Sequence, residues 1–224
     1  MKYYRQDISA VLRFKSRYWK WRFNLSKTLK RSFDVLLASI LLVAFSPIFI
    51  LVSILIKMDS EGPLFFKQER VGLNGKLFSM WKFRSMVDNA EAIRENLNDS
   101  NEMKNGVLFK IKHDPRVTKV GRFIRKSSID ELPQLVNVIL GDMSLVGPRP
   151  HLEREVNEYR RFDYARLRVM PGVTGLWQVE GRSDSPFETQ VKLDLQYIET
   201  QSLLLDIILL FRTIPAVLMG RGAY

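Results

Sequence analysis

Hydrophobic positions in this chain gather first into one long run. Val35 to Ile56, VLLASILLVAFSPIFILVSILI, is 22 residues without a charge. At a rise of ~1.5 Å per residue it forms about 33 Å of helix, enough to cross the hydrocarbon core of a bilayer. Such uniform apolarity is rare for a buried helix in a chain of 224 residues, so a soluble-core helix is the weaker reading. A cleavable signal peptide fits poorly. The run is too long, starts late and is followed by KMDSEGP instead of a small-residue cleavage site. Pro47, preceded by Ser46, lies near the middle. Proline removes one backbone hydrogen bond and crowds the carbonyl four residues earlier, so the helix is expected to bend there.

Past this run the pattern becomes mixed. Residues 62–86, GPLFFKQERVGLNGKLFSMWKFRSM, set two aromatic-rich segments on either side of a Gly-Leu-Asn-Gly-Lys turn, the signature of a β-hairpin. Residues 88–104 are polar and rich in Asn, Asp and Glu, as a surface helix and loop would be. KVGRFIRKSSIDELPQLVNVIL reads as a basic helix, a cap and an apolar helix. Ser128 with Glu131 three later has capping-box spacing, and Pro133 still falls within the first turns. Residues 170–188 read as loop-rich, and residues 187–200 as an acidic amphipathic helix. The tail, SLLLDIILLFRTIPAVLMG, is interrupted by Asp206, Arg212 and Pro215, which suits an interfacial or packing helix better than a span. The expected fold is mostly α with a small β-hairpin, an α+β arrangement. There are no internal repeats and no low-complexity segments.

Charge sharpens this picture. The net charge is +11, and residues 1–31 carry ten Lys or Arg against one acid, Asp7, so they supply +9 of it. Tryptophan and tyrosine interleave with the cations in RYWKWRF. A nucleic-acid arm has this charge too, but basic-aromatic alternation followed by a long apolar run suits a membrane surface, and no nucleic-acid recognition motif is present. The chain has no cysteine, which excludes disulfides and thiolate metal sites, and only two histidines, His113 and His151. Any metal is expected on oxygen ligands, which favours magnesium or calcium.

The candidate chemistry lies in SSIDELPQLVNVILGDMSLVGPRP, residues 127–150. Asp130 and Glu131 are adjacent carboxylates in an otherwise basic neighbourhood. Helix capping is the common reason for such a pair. Here Arg122, Arg125 and Lys126 precede it, and Arg149 sits between Pro148 and Pro150 in a turn of restricted backbone freedom, able to aim its guanidinium at an anion. Arg182 is a further arginine on an expected loop. A carboxylate and several arginines, without a thiol or histidine cluster, point to phosphoryl transfer. An aspartate attacks phosphorus to give an acyl phosphate while a divalent ion and arginines neutralise the spreading charge.

From about Lys30 to the end, the segments KRSFDVLLA, FKQERVG, WKFRSM, DPRVTKVGRFIRKSSIDELPQLVNVILGDMSLVGPRP, PGVTGLWQVEGR and the terminal GAY, with the Ser46-Pro47 break, carry a clear likeness. The chain resembles the bacterial sugar transferase family, the monotopic polyprenyl-phosphate phosphoglycosyl transferases. The resemblance implies transfer of a sugar-1-phosphate from a UDP-sugar to undecaprenyl phosphate with release of UMP, as the first step in assembling a cell-surface polysaccharide or glycoconjugate. It implies Asp130 as nucleophile and magnesium ligand, Glu131 as an assisting base or metal helper, and Mg²⁺ as cofactor. Arg125, Arg149 and Arg182 are expected to hold phosphate or nucleotide, with Arg122 in the same cluster. Galactose or glucose is the expected sugar, with an N-acetylated sugar as alternative.

By charge alone, a straight span and a re-entrant path through the membrane are nearly balanced for residues 35–56, since cations crowd both flanks. The resemblance tips the balance to re-entrant, with the turn at Ser46 and Pro47. The expected organisation is a basic-aromatic interfacial helix over 1–33, a re-entrant membrane helix over 34–57 and a catalytic domain over 58–224. That domain, with its interfacial amphipathic helices, is expected on the cytoplasmic face of the bacterial inner membrane. Larger family members carry extra N-terminal spanning helices and a further domain, and the initial methionine makes a minimal form the expectation here. Self-association into a homo-oligomer is compatible with all of this. The rival reading is a non-catalytic membrane-surface protein that binds anionic lipid through residues 1–31.

Overall fold

The computed structural model describes residues 27–95, 114–180 and 186–218; residues 1–26 of the expected basic-aromatic helix and Arg182 lie outside them, and residues 27–33 begin the first described helix. Helix α1 (Lys27–Ala44) meets α2 (Ser46–Asp59) at Phe45 with a bend of 59°. Pro47 sits in the first turn of α2, where a missing N–H costs no helical hydrogen bond, and the Ser46 hydroxyl donates to the Val43 carbonyl at 2.8 Å. Among the described residues no single helix is long and apolar enough to cross a membrane; α1 and α2 reach that length and composition only as a bent pair.

The apolar run is not uniformly exposed. Ala38, Val52 and Ile56 are buried in the protein, whereas Leu36, Ile40, Val43, Ile50, Leu51 and Ile54 are exposed. The cations at its start serve the fold. Arg31 donates to the Val138 and Ile139 carbonyls at 2.6 and 3.0 Å, satisfying the end of a later helix, α5 (Gln134–Leu140), which Gly141 terminates at φ 96°. Lys30 pairs with Asp206 at 2.6 Å, and Asp206 also accepts from the Tyr197 hydroxyl at 2.7 Å.

Strands β1 (Phe65–Val71) and β2 (Leu77–Phe83) form the expected antiparallel hairpin, in register from Phe65↔Phe83 to Val71↔Leu77. Its turn uses positive φ at Asn74 and Gly75. The short helix α3 (Ala90–Glu95) follows, and then α4 (Lys119–Lys126), capped by the Thr118 side chain accepting from the Gly121 N–H. A Cβ on Gly121 would collide with the Ser85 backbone, so glycine here lets α4 close onto the end of the hairpin.

One pairing was not legible in the sequence. β3 (Ser144–Val146) runs parallel to β4 (Gly172–Thr174), with α6 (Glu153–Asn157) and a 3₁₀ turn (Asp163–Arg168) between them. Gly147 and Gly172 face each other so closely that a Cβ on Gly172 would strike the Gly147 backbone. The stretch expected to be loop-rich therefore contains β4 and α7 (Leu176–Glu180). The amphipathic helix expected over 187–200 is present as α8 (Phe187–Thr200).

Helix α9 (Leu203–Leu218) buries Leu209 and Asp206 and leaves Leu204, Phe211 and Ile214 exposed. The main core joins α1, β2, α5, β3, α7, α8 and α9 through Ala38, Met80, Leu135, Val138, Leu145, Leu176, Tyr197 and Leu209. A second cluster of Val52, Ile56, Phe83 and Ile124 packs α2 against the hairpin and α4. The architecture is mostly helical with two small sheets.

Candidate active site

Asp130 and Glu131 lie in a 3₁₀ turn, Ile129–Glu131, between α4 and α5. The expected capping box is absent. Ser128 adopts the left-handed conformation (φ 53°) and makes no side-chain cap, and Glu131 turns instead toward two cations. The left-handed residue reverses the chain after α4, which lets a tight turn carry the two carboxylates in different directions.

Glu131 Oε1 accepts from Lys82 Nζ at 2.8 Å and from Arg149 Nη2 at 3.1 Å. Burial raises the Glu131 pKa, but Arg149 and Lys82 together overcome it and hold the carboxyl well below the usual carboxylate range. Asp130 is only 7% exposed, and no hydrogen bond or ion pair to its carboxylate occurs among the described residues. Burial pushes its pKa up to about 6; Lys82, Arg125 and Arg149 pull against that, and Glu131 adds to it. The site therefore holds one carboxylate locked onto cations and one buried, unpaired and more basic than an ordinary aspartate.

Arg149 is presented by a turn whose carbonyls are fixed by β4, by the 3₁₀ turn and by the end of β1. Pro148 O accepts from Gly172 N at 2.9 Å, Arg149 O from Arg166 Nη2 at 3.3 Å, Pro150 O from Arg70 Nη1 at 3.0 Å and His151 O from Val71 N at 2.9 Å. Gly147 N donates to Thr174 O at 2.9 Å. Behind the turn, Arg166 pairs with Asp194 of α8 at 2.6 Å, both side chains 1% exposed, and donates to the Tyr159 hydroxyl at 2.7 Å. Burial and the nearby Arg166 and Arg70 push the His151 pKa well down, so its ring is neutral. Burial, then the adjacent Arg149, also lowers Arg70, to about 10.

The structure thus brings Asp130, Glu131 and Arg149 together, and Arg125 acts on Asp130 through its field. Arg122 is exposed on α4 and makes no hydrogen bond or ion pair with either carboxylate. Arg182 lies outside the described residues. Sequence reasoning missed Lys82, Arg70 and Arg166 as parts of the site. Lys82 offered a local signal, a single cation in the apolar strand segment Trp81-Lys82-Phe83; Arg166 offered none.

No group of three or more His, Asp or Glu side chains placed to hold a metal occurs among the described residues. That donor set still fits Mg²⁺, which is commonly bound by one or two carboxylates with water and substrate phosphates completing its shell. The unpaired Asp130 carboxylate and the second oxygen of Glu131, Oε2, are available as ligands. Glu131 Oε1 is already committed to Lys82 and Arg149.

Residues 25–220 match the model of the bacterial sugar transferase family. The chain is 46% identical to the exopolysaccharide production protein ExoY of Sinorhizobium fredii, over 87% of this chain and 88% of that protein. It is 42% identical to the undecaprenyl-phosphate galactose phosphotransferase of Salmonella typhimurium, over 99% of this chain and 48% of that protein. It is 43% identical to the UDP-galactose-lipid carrier transferase of Erwinia amylovora, over 89% of this chain and 42% of that one. The chain spans less than half the length of these last two relatives. A match over nearly the whole chain, together with a relative covered almost end to end, establishes that this chain belongs to the bacterial sugar transferase family.

Proposed function

We propose that the protein transfers a sugar-1-phosphate from a UDP-sugar to undecaprenyl phosphate, in two displacements through Asp130. In the first, a carboxylate oxygen of Asp130 attacks the phosphorus that bears the sugar. The bond from that phosphorus to the bridging oxygen breaks, and UMP leaves with the electron pair. The sugar phosphate stays on Asp130 as an acyl phosphate. In the second, a phosphate oxygen of undecaprenyl phosphate attacks the same phosphorus and Asp130 leaves as carboxylate. The product is undecaprenyl diphosphate carrying the sugar, the starting unit of an exopolysaccharide or capsule. The names of the relatives, a galactose phosphotransferase and a UDP-galactose-lipid carrier transferase, support this substrate pair.

The observation that carries the proposal is the contrast between the two neighbouring carboxylates. Asp130 is largely buried and its carboxylate has no hydrogen-bond partner among the described residues, so its lone pairs are available and its basicity is raised. Glu131 is held as an anion by Lys82 and Arg149 and keeps both cations beside Asp130. Counting Arg125, three cations face two carboxylates, a surplus of one positive charge that suits an incoming diphosphate. Asp130, with Glu131 beside it, would hold Mg²⁺, which would supply Lewis-acid neutralisation of the phosphate charge.

The bent α1–α2 pair and the exposed apolar side of α9 support a site held at headgroup level, where the lipid phosphate resides. We place this arrangement at the cytoplasmic face of the bacterial inner membrane, with the helix pair turning back at Ser46-Pro47. The test is UMP release across a panel of UDP-sugars with undecaprenyl phosphate and Mg²⁺. One sugar nucleotide should support turnover that Asp130→Asn abolishes; turnover retained by Asp130→Asn would exclude the aspartate from the chemistry.

A further inference from the structure

We infer that Arg166 is a positioning residue for the transfer reaction, acting through the Arg149 turn and never touching substrate. This rests on the proposed role of Arg149. Arg166 is 1% exposed, far too buried to meet a nucleotide or a lipid phosphate. A buried guanidinium is costly unless all its donors are used, and here they are divided between Asp194 and the back of the turn. Nε and Nη2 hold Asp194 at 2.8 and 2.6 Å, Nη1 reaches the Tyr159 hydroxyl at 2.7 Å and His151 Nδ1 at 3.2 Å, and Nη2 reaches the Arg149 carbonyl at 3.3 Å. Tyr159 hydroxyl and His151 Nδ1 are themselves 2.9 Å apart, so the three side chains form one closed set.

The neutral His151 matters to this arrangement. Its ring accepts from the guanidinium, and its backbone carbonyl is bonded to Val71 of β1. Arg166 therefore fixes the turn twice, once at the Arg149 carbonyl and once through the His151 side chain. Asp194 ties the same guanidinium to α8, so the orientation of Arg149 is set by a helix from the far end of the sequence. With its backbone held, the Arg149 side chain, 31% exposed, has only its own rotamers to order when phosphate arrives.

Arg166→Lys is the informative change. Lysine keeps the charge that Asp194 needs, but one ammonium cannot span Asp194, Tyr159 and the Arg149 carbonyl together. The experiment is a double-mutant cycle of Arg166→Lys and Arg149→Ala, with kcat/KM measured for the UDP-sugar and thermal unfolding as a control. Arg149→Ala must itself lower kcat/KM; if it does not, the role given to Arg149 fails, and the inference falls with it. Given that loss, Arg166→Lys should lower kcat/KM about tenfold in the parent and less than about twofold in the Arg149→Ala background, because the two act as a unit. An equal loss in both backgrounds would overturn the inference and leave Arg166 as a stabilising ion pair alone. Tyr159→Phe, which removes one acceptor and leaves the Asp194 pair intact, provides a second cycle should Arg166→Lys fail to fold. It should show the same coupling to Arg149→Ala on a smaller scale, and independent effects would overturn the inference equally.

Discussion

Arg149 and Glu131, eighteen residues apart in sequence, are joined by an ion pair of 3.1 Å, and the same Glu131 oxygen holds Lys82 at 2.8 Å. Glu131 thereby stores two cations immediately beside Asp130, each with donors to spare. A guanidinium held at one nitrogen still presents the rest of its planar fork to a phosphate. Arg149→Lys retains the charge and loses that fork. We expect kcat/KM to fall on the order of tenfold or more, ~1.4 kcal/mol in barrier. Steady-state kinetics with the UDP-sugar check this; near-parental activity would make the turn a structural loop only.

The isolation of Asp130 has a thermodynamic signature separate from catalysis. Its folded pKa, about 6, lies above the ordinary 3.8, so folding favours the protonated form. That contribution is complete below the unfolded pKa and is lost as pH rises through about 6. At pH 8 the buried anion therefore costs the fold on the order of 2–3 kcal/mol, which Asn at this position removes. In metal-free buffer with chelator, Asp130→Asn should melt higher than the parent at pH 8, and the gap should close near pH 4. An unchanged or lower melting temperature at pH 8 would mean that the carboxylate has partners in solution.

Lys82 is the cation that most strongly lowers the Asp130 pKa, and it also pairs with Glu131. Lys82→Met keeps the length of the side chain and removes the charge. Asp130 then holds its proton to higher pH, so the acid limb of kcat/KM against pH should move upward. An unmoved limb with a uniformly lower rate would assign Lys82 to substrate binding alone.

Much of the fold was legible because its signals are local. The hairpin announced itself through the Gly-Leu-Asn-Gly-Lys turn, and the bend through Pro47. The parallel pair β3–β4 was not, since three residues per strand carry no readable period, and its close approach depends on Gly147 and Gly172 meeting across the fold. The site divides in the same way. Asp130, Glu131 and Arg149 stand out within one short segment. Lys82 is 49 residues from its partner Glu131, and Arg166 is 28 from Asp194, so only the tertiary structure connects them. Ser128 had capping spacing by composition, but the reversal after α4 required a left-handed residue at that position, and the cap was lost to it.

The bend between α1 and α2 gives a topological expectation. Ser46 and Pro47 are replaced together by alanine, removing the hydroxyl bond to Val43 and the proline that favours a helix start at Ser46. A straight helix of about 33 Å over residues 35–56 then becomes accessible, long enough to span. A cysteine introduced near residue 2 should be shielded from an impermeant reagent in intact cells of the parent and become partly reactive in Ser46→Ala/Pro47→Ala. Labelling from outside in the parent would show that residues 35–56 simply cross.

The most direct test of Asp130 as nucleophile is to trap what it carries. Purified protein is incubated with its UDP-sugar and Mg²⁺ in the absence of undecaprenyl phosphate, quenched in acid and mapped by mass spectrometry. The account predicts one sugar phosphate on the peptide containing Asp130, released when undecaprenyl phosphate is added, with UMP formed in equal amount before the lipid is present. An unmodified Asp130 peptide, with UMP appearing only once the lipid phosphate is supplied, would contradict it and replace the two displacements with a single direct transfer.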